Sequence, residues 1–170
     1  YQSATRNFLQ ALELLKTHDF KRYHAIVLAR IAQVYDAQGD FKQAIDHLLR
    51  ALRIHESLNN RQEVGRVYGA IGWVYINQKN DSMAANYAQR SLRLMEQIED
   101  KAGIAFAHNL LGYIHYSTSN YPAALREYDA ALQLRNEIKS ERGTAATTFN
   151  IARVYEKQGL YDKAQANLLD

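Results

Sequence analysis

The chain has 170 residues, of which 47% are hydrophobic and 23% charged, with a formal net charge of +3. Those values are ordinary for a folded soluble protein, and so weak a charge argues against a dedicated phosphate-binding surface. The absence of cysteine excludes disulfides and thiolate metal sites, and no apolar run approaches the ~20 residues that cross a bilayer.

Pro122 is the only proline, and the eight glycines fall mostly at recurring positions. Few breakers among many Ala, Leu, Gln, Lys and Arg predict an all-helical chain with tight turns. The opening residues YQSATRNFLQ have neither the regions of a signal peptide nor an initiator methionine, so a piece of a larger protein is expected. Four segments superimpose at one fixed interval: IAQVYDAQGDFKQA from Ile31, IGWVYINQKNDSMA from Ile71, LGYIHYSTSNYPAA from Leu111 and IARVYEKQGLYDKA from Ile151. A unit of that length, about 40 residues, is one helical hairpin. Alone it cannot bury its apolar face, so hairpins must stack.

In chain order, helices are predicted near 1–16, 21–38, 41–57, 61–78, 81–98, 101–118, 121–138, 141–158 and 161–170. The first is a second helix lacking its partner, because Ala44 stepped back by one repeat lands on Ala4, and Leu48 on Phe8. Units then cover 21–57, 61–98 and 101–138, with a partial unit 141–170, as one array over 1–170. In the first unit Leu28, Ile31, Ala32 and Tyr35 share one helical face. Gly39 suits a left-handed helix end, and Asp40 can cap the next helix. Phe41, Ala44, Leu48, Ala51 and Leu52 form the second stripe. Ala32 and Ala44, with Gly72, Gly112 and Ala152 replacing the first and Ala84, Ala124 and Ala164 the second, sit where helix axes approach closely. Asn80 and Asn120 repeat the Asp40 cap; Leu160 breaks that pattern, leaving Gly159 or Asp162 to serve. Asn60, Asp100 and Ser140 recur in the longer turns expected between units, and Glu63 completes a capping box with Asn60.

These residues resemble the tetratricopeptide repeat: a large residue, Leu-Gly and Tyr in the first helix, then Ala, an aromatic and Ala in the second. Here they are Leu28, Ile31, Ala32, Tyr35, Ala44, Leu48 and Ala51, with their equivalents in each later unit. The unit is longer than the usual length of about 34 residues and lacks the closing proline. Such long units look like those of kinesin light chains, Pins-type polarity adaptors and, in QIEDKAGIAFAHNLLGYIHY and NIARVYEKQGLYDKA, bacterial signalling arrays. The resemblance implies an all-α fold, a right-handed tetratricopeptide superhelix built as a solenoid of antiparallel hairpins.

In such a family the first helices line an inner, concave wall. Helical phase assigns to it Ala29, Gln33 and Asp36; Gly69, Trp73 and Ile76; Asn109, Tyr113 and Tyr116; and Phe149, Arg153 and Glu156. Arg30, Ala70, Leu110 and Asn150 lie at the rim. The candidate peptide-binding set is therefore Arg30, Gln33, Trp73, Ile76, Asn109, Tyr113, Tyr116, Phe149, Asn150 and Arg153. Exposed rings supply apolar area at low entropy cost, and an amide pairs with a peptide N–H and C=O at once. The competing reading packs Trp73, Tyr113 and Tyr116 between repeats, as Tyr35, Tyr75 and Tyr155 on the core stripe must pack. Asn150 directly precedes its Leu-Gly position and so resembles a residue other such domains use to grip peptide backbones. The carboxylate clamp of chaperone-tail binders does not map, because Ala29, Gln33 and Ala70 hold its positions. Arg30, Arg66 and Arg153 are left to attract acidic peptides loosely.

The six histidines show no metal spacing. His115 takes a tyrosine position, and His108 lies near enough to approach it. No phosphate loop or nucleophile elbow occurs. Arg50, Arg53, Arg90 and Arg93 make a small outer basic patch, which Glu56 and Glu96 are expected to neutralise. Together these features describe a non-enzymatic, cytoplasmic interaction module without cofactor or metal, binding a protein or peptide segment in the groove of a larger signalling protein. Neither nucleic acid nor membrane is assigned as a partner. The alternative is a scaffold assembling copies through exposed terminal helices at Tyr1, Phe8 and Leu12.

Overall fold

A computed structural model describes residues 6–11 and 20–169. Residues 6–11 are helical, and the rest of the predicted first helix, with Tyr1, Ala4 and Leu12, lies outside the described residues. Seven helices of 17 residues follow. They are α1 Lys21–Ala37, α2 Phe41–Ser57, α3 Arg61–Asn77, α4 Asp81–Gln97, α5 Lys101–Ser117, α6 Tyr121–Glu137 and α7 Glu141–Lys157. A shorter α8 spans Tyr161–Leu169. No strand occurs among the described residues.

The seven junctions from α1 to α8 share one backbone pattern. Gly39, Asn59, Lys79, Glu99, Ser119, Lys139 and Gly159 all have positive φ, between 53 and 78°. Around each, the left-handed residue donates to the carbonyl three back and its successor to the carbonyl five back: Gly39 N to Asp36 O at 2.9 Å and Asp40 N to Tyr35 O at 2.9 Å, for example. This paired arrangement is the Schellman motif. The successor then caps the next helix. Asp40, Asn60, Asn80, Asp100 and Asn120 accept from the backbone N–H three residues on, at 3.0–3.4 Å. Ser140 occupies the same place without a side-chain cap bond. The turns between units are therefore as short as those within them, which corrects the longer turns expected from the sequence. At the last junction Gly159 supplies the left-handed residue, and Leu160 stands exposed in the cap position. The capping box is also half made. Asn60 accepts from Glu63 N, but the Glu63 carboxylate is held by Arg66 at 2.8 Å.

The chain forms two compact units, Tyr1–Arg90 and Ser91–Asp170, dividing within α4. In the first, α1 packs on α2 and α2 on α3. Ala25, Leu28, Ile31 and Ala51 are fully buried, with Phe8, Val27, Tyr35 and Ile54 against them. Phe8 packs, partly buried, against this core. Ala32 and Ala44 are buried where the two helices meet. Tyr75 stacks on Tyr87 at 5.6 Å, in keeping with a structural role.

In the second unit α5 packs on α6, α6 on α7 and α7 on α8. Its core joins Ala124, Tyr128, Ile151 and Val154, with Tyr116, Tyr121, Leu125, Leu132 and Tyr155 around them. Gly112 makes room for Tyr128: a Cβ on Gly112 would lie 2.6 Å from two atoms of that ring. Two repeats earlier, α1 and α2 solve the same crossing with Ala32 and Leu48. Met95 similarly fills the space over Gly103, while Arg135, half-buried against α7, donates to Gly143 O and Thr147 Oγ1.

His55 is buried, and burial lowers its pKa from 6.5; Glu63 opposes the shift and Arg22 adds to it. The unfolded chain therefore holds the proton more tightly. The neutral ring's contribution is complete above pH 6.5 and falls as pH drops toward the lowered folded value. His55→Met, the residue found at the equivalent position 95, should flatten the dependence of urea-unfolding stability on pH between 7.5 and 5, values chosen to bracket an ordinary imidazole at about 6.5. Gly112→Ala should cost about 1–3 kcal/mol by overpacking, and much less in a Tyr128→Leu background. Chemical denaturation of the four variants measures that coupling.

Candidate functional site

The first helices of successive hairpins touch within each unit, α1 with α3 and α5 with α7. Their contacts run along a seam whose partners stand one place beyond a full repeat. In the first unit Asn77 Nδ2 donates to both Asp36 carboxylate oxygens, at 3.1 and 2.9 Å. In the second, Asn150 Nδ2 donates to Asn109 Oδ1 at 3.0 Å.

Six of the ten predicted residues gather on α5 and α7. Tyr113 and Tyr116 have ring centroids 6.2 Å apart, and Tyr121, which helical phase does not single out, lies 6.2 Å beyond Tyr116. The Arg153 guanidinium carbon sits 4.9 Å from the Tyr116 ring centroid and 6.0 Å from that of Phe149. Phe149 is 56% exposed. The Arg153 side chain makes no hydrogen bond or ion pair among the described residues, so its donor edge is available beside the Asn150 amide. Stacking on two rings holds the cation in place without neutralising it.

Two predicted groups are not where phase counting puts them. Asn109 is only 8% exposed, because the neighbouring helix covers it and Asn150 uses its oxygen. Ile76 is also 8% exposed. Phase counting treats this face as clear, whereas the equivalent positions 36 and 116 lie in the seam, reached by Asn77 and Arg153. In the first unit Trp73 is half-buried, and Arg30 and Gln33 are exposed, with Arg30 donating to Gln33 Oε1 at 3.0 Å.

His108 Nδ1 lies 2.8 Å from Glu127 Oε2 and is engaged by that carboxylate, not by His115. No group of three or more His, Cys, Asp or Glu that could hold a metal occurs among the described residues. Arg50 is 3.9 Å from Asp46 on the same helix, and Arg90 lies over the Tyr87 ring. No helix among the described residues is long and apolar enough to cross a membrane.

The tetratricopeptide repeat profile matches residues 1–57, 23–97 and 103–170. The chain belongs to the tetratricopeptide repeat family. Solved structures share the fold of this tetratricopeptide chain at low identity. Aspartyl phosphate phosphatase F from Bacillus subtilis matches with a TM-score of 0.88 and 17% identity, over 98% of this chain and 44% of that one. A Rap protein complexed with competence and sporulation factor matches at 0.82 and 21% identity, over 95% and 47%. BtubC from P. vanneervenii matches at 0.75 and 19%, over 95% and 67%. The tetratricopeptide chain thus spans less than half the length of the first two. No curated protein sequence matches it.

Proposed function

We propose that this tetratricopeptide array is a non-catalytic, cytoplasmic protein-interaction module that binds a peptide or protein segment on the first-helix face, within a larger signalling or regulatory protein. One observation carries the reading: a guanidinium stacked over Tyr116 and Phe149, with its N–H edge unused, beside an amide already oriented by its neighbour. Rings offer apolar area, Arg153 offers paired donors to a carboxylate, and Asn150 keeps a free acceptor for a backbone N–H. Tyr113 extends the apolar surface. Asn109 acts from beneath by fixing Asn150. In the first unit Trp73 is the proposed anchor, with Arg30 and Gln33 as polar contacts; Ile76 supports it from the interior. The complex of a Rap protein with competence and sporulation factor supports the class of ligand by analogy of fold alone.

A random-peptide display selection on the whole chain tests this. Enriched peptides should carry an acidic residue and an apolar one. Arg153→Ala should weaken them by about 1.5–3 kcal/mol, the range for a charged hydrogen-bonded pair, without changing the melting curve. Trp73→Ala, the separate test of the first unit, should weaken binding there by about 2 kcal/mol. Selected peptides that bind both variants as well as the parent chain would refute the assignment.

A further inference from the structure

The last turns of α4 and α6 each set one side chain against the first turn of the helix that follows. Met95 fills the space over Gly103, and Arg135 donates to Gly143 O. In the first unit the residues at those places are His55 and Glu63, a base facing an acid. His55 is 2% exposed, and its Nδ1 has no hydrogen-bond partner. A buried polar atom is rarely left so, and Met95 shows that an apolar side chain serves the packing as well. The charges that act on the ring are the Glu63 carboxylate from α3 and, opposing it, Arg22 from α1. Glu63 meanwhile holds Arg66 at 2.8 Å, and Arg66 has no other side-chain partner among the described residues. Arg66, Ala70 and Trp73 follow at intervals of four and three, so they share one face of α3.

We infer that His55 and Glu63 form an acid-operated latch: proton uptake by His55 draws the Glu63 carboxylate onto the imidazolium and releases Arg66 on the face that carries Trp73. This regulation rests on the peptide reading of that face, and the ligand it favours is an acidic peptide. Both nitrogens of a charged imidazole are donors, so the proton turns the unpartnered Nδ1 into a donor whichever tautomer preceded it. The place accepts a cation, since Arg135 stands there in the second unit with its guanidinium bonded to the backbone of α7. Arg66 is 52% exposed, and water screens its pull on Glu63 more than it screens a charge inside the junction. Above pH 6.5 burial keeps the ring neutral and Glu63 stays with Arg66; the charge enters at lower pH, and repulsion by Arg22 moves that threshold further down. The coupling is reciprocal: a ligand that prefers the released Arg66 strengthens proton binding at His55 by the same factor.

Nuclear magnetic resonance of the whole chain tests the latch without any ligand. From about pH 7.5 to about 5.5, where ordinary carboxylates stay ionised, the Arg66 Nε–H and Glu63 carboxyl-carbon signals should move together with the His55 ring. In His55→Met they should stay still. The second arm titrates hexa-aspartate into the chain carrying Arg153→Ala, which removes the cation of the second unit, and follows the Trp73 indole N–H. Binding should be about threefold tighter at the lower pH, the size of an exposed ion pair. Adding Glu63→Gln should give the tighter affinity at both pH values, and adding His55→Met the weaker one at both. Saturating hexa-aspartate should raise the midpoint of the His55 titration by about 0.5 pH, the same threefold seen from the other side. An Arg66 signal that ignores His55 overturns the latch itself. An Arg66 signal that follows His55, with hexa-aspartate binding absent or the same at both pH values, overturns its link to the peptide face.

Discussion

The three-residue junction is the constraint on which the rest depends. One residue adopts the left-handed conformation and closes the Schellman pair; the next caps the following helix. A helix end leaves orphan carbonyls and a helix start leaves orphan N–H groups, and at five of the seven junctions adjacent residues supply partners to both. Because the seven junctions from α1 to α8 share one length and the same Schellman bonds, each of the later helices starts at a set angular phase after its predecessor. Within each unit the apolar stripes of consecutive helices then meet without adjustment. Five of the seven left-handed residues are not glycine, so the chain accepts local strain of about 1–2 kcal/mol at each to keep that geometry.

The packing that follows is a matter of matched volumes. Gly112 faces a tyrosine, and Gly103 faces a methionine. Small and large residues trade places from repeat to repeat while the helix axes keep their approach. That is why helices of one length can carry different side chains on their shared face, and why a site can vary along the array without disturbing its frame.

The repeat period, the alanine and glycine contacts and the helix ends to within a residue or so are legible in the sequence, since steric demand leaves few residue types at those positions. The sameness of all the junctions is not. Gly39 announces a left-handed residue, but Lys79, Glu99 and Lys139 in the same conformation do not. Helical phase puts Tyr113, Tyr116, Phe149 and Arg153 on one face, and their side chains do lie together. It does not foresee the burial of Asn109, because phase describes a single helix while burial there is decided by Asn150 across the seam.

Inserting one alanine between the exposed Ala145 and Ala146 asks most directly whether junction phase places every functional side chain. The change leaves composition, helix propensity and both flanking junctions alone, and turns the residues after it by about 100° against those before. Amide hydrogen-exchange protection at Ile151 and Val154 should collapse, because those side chains no longer meet Ala124 and Tyr128. Unchanged protection there would contradict control by the junctions.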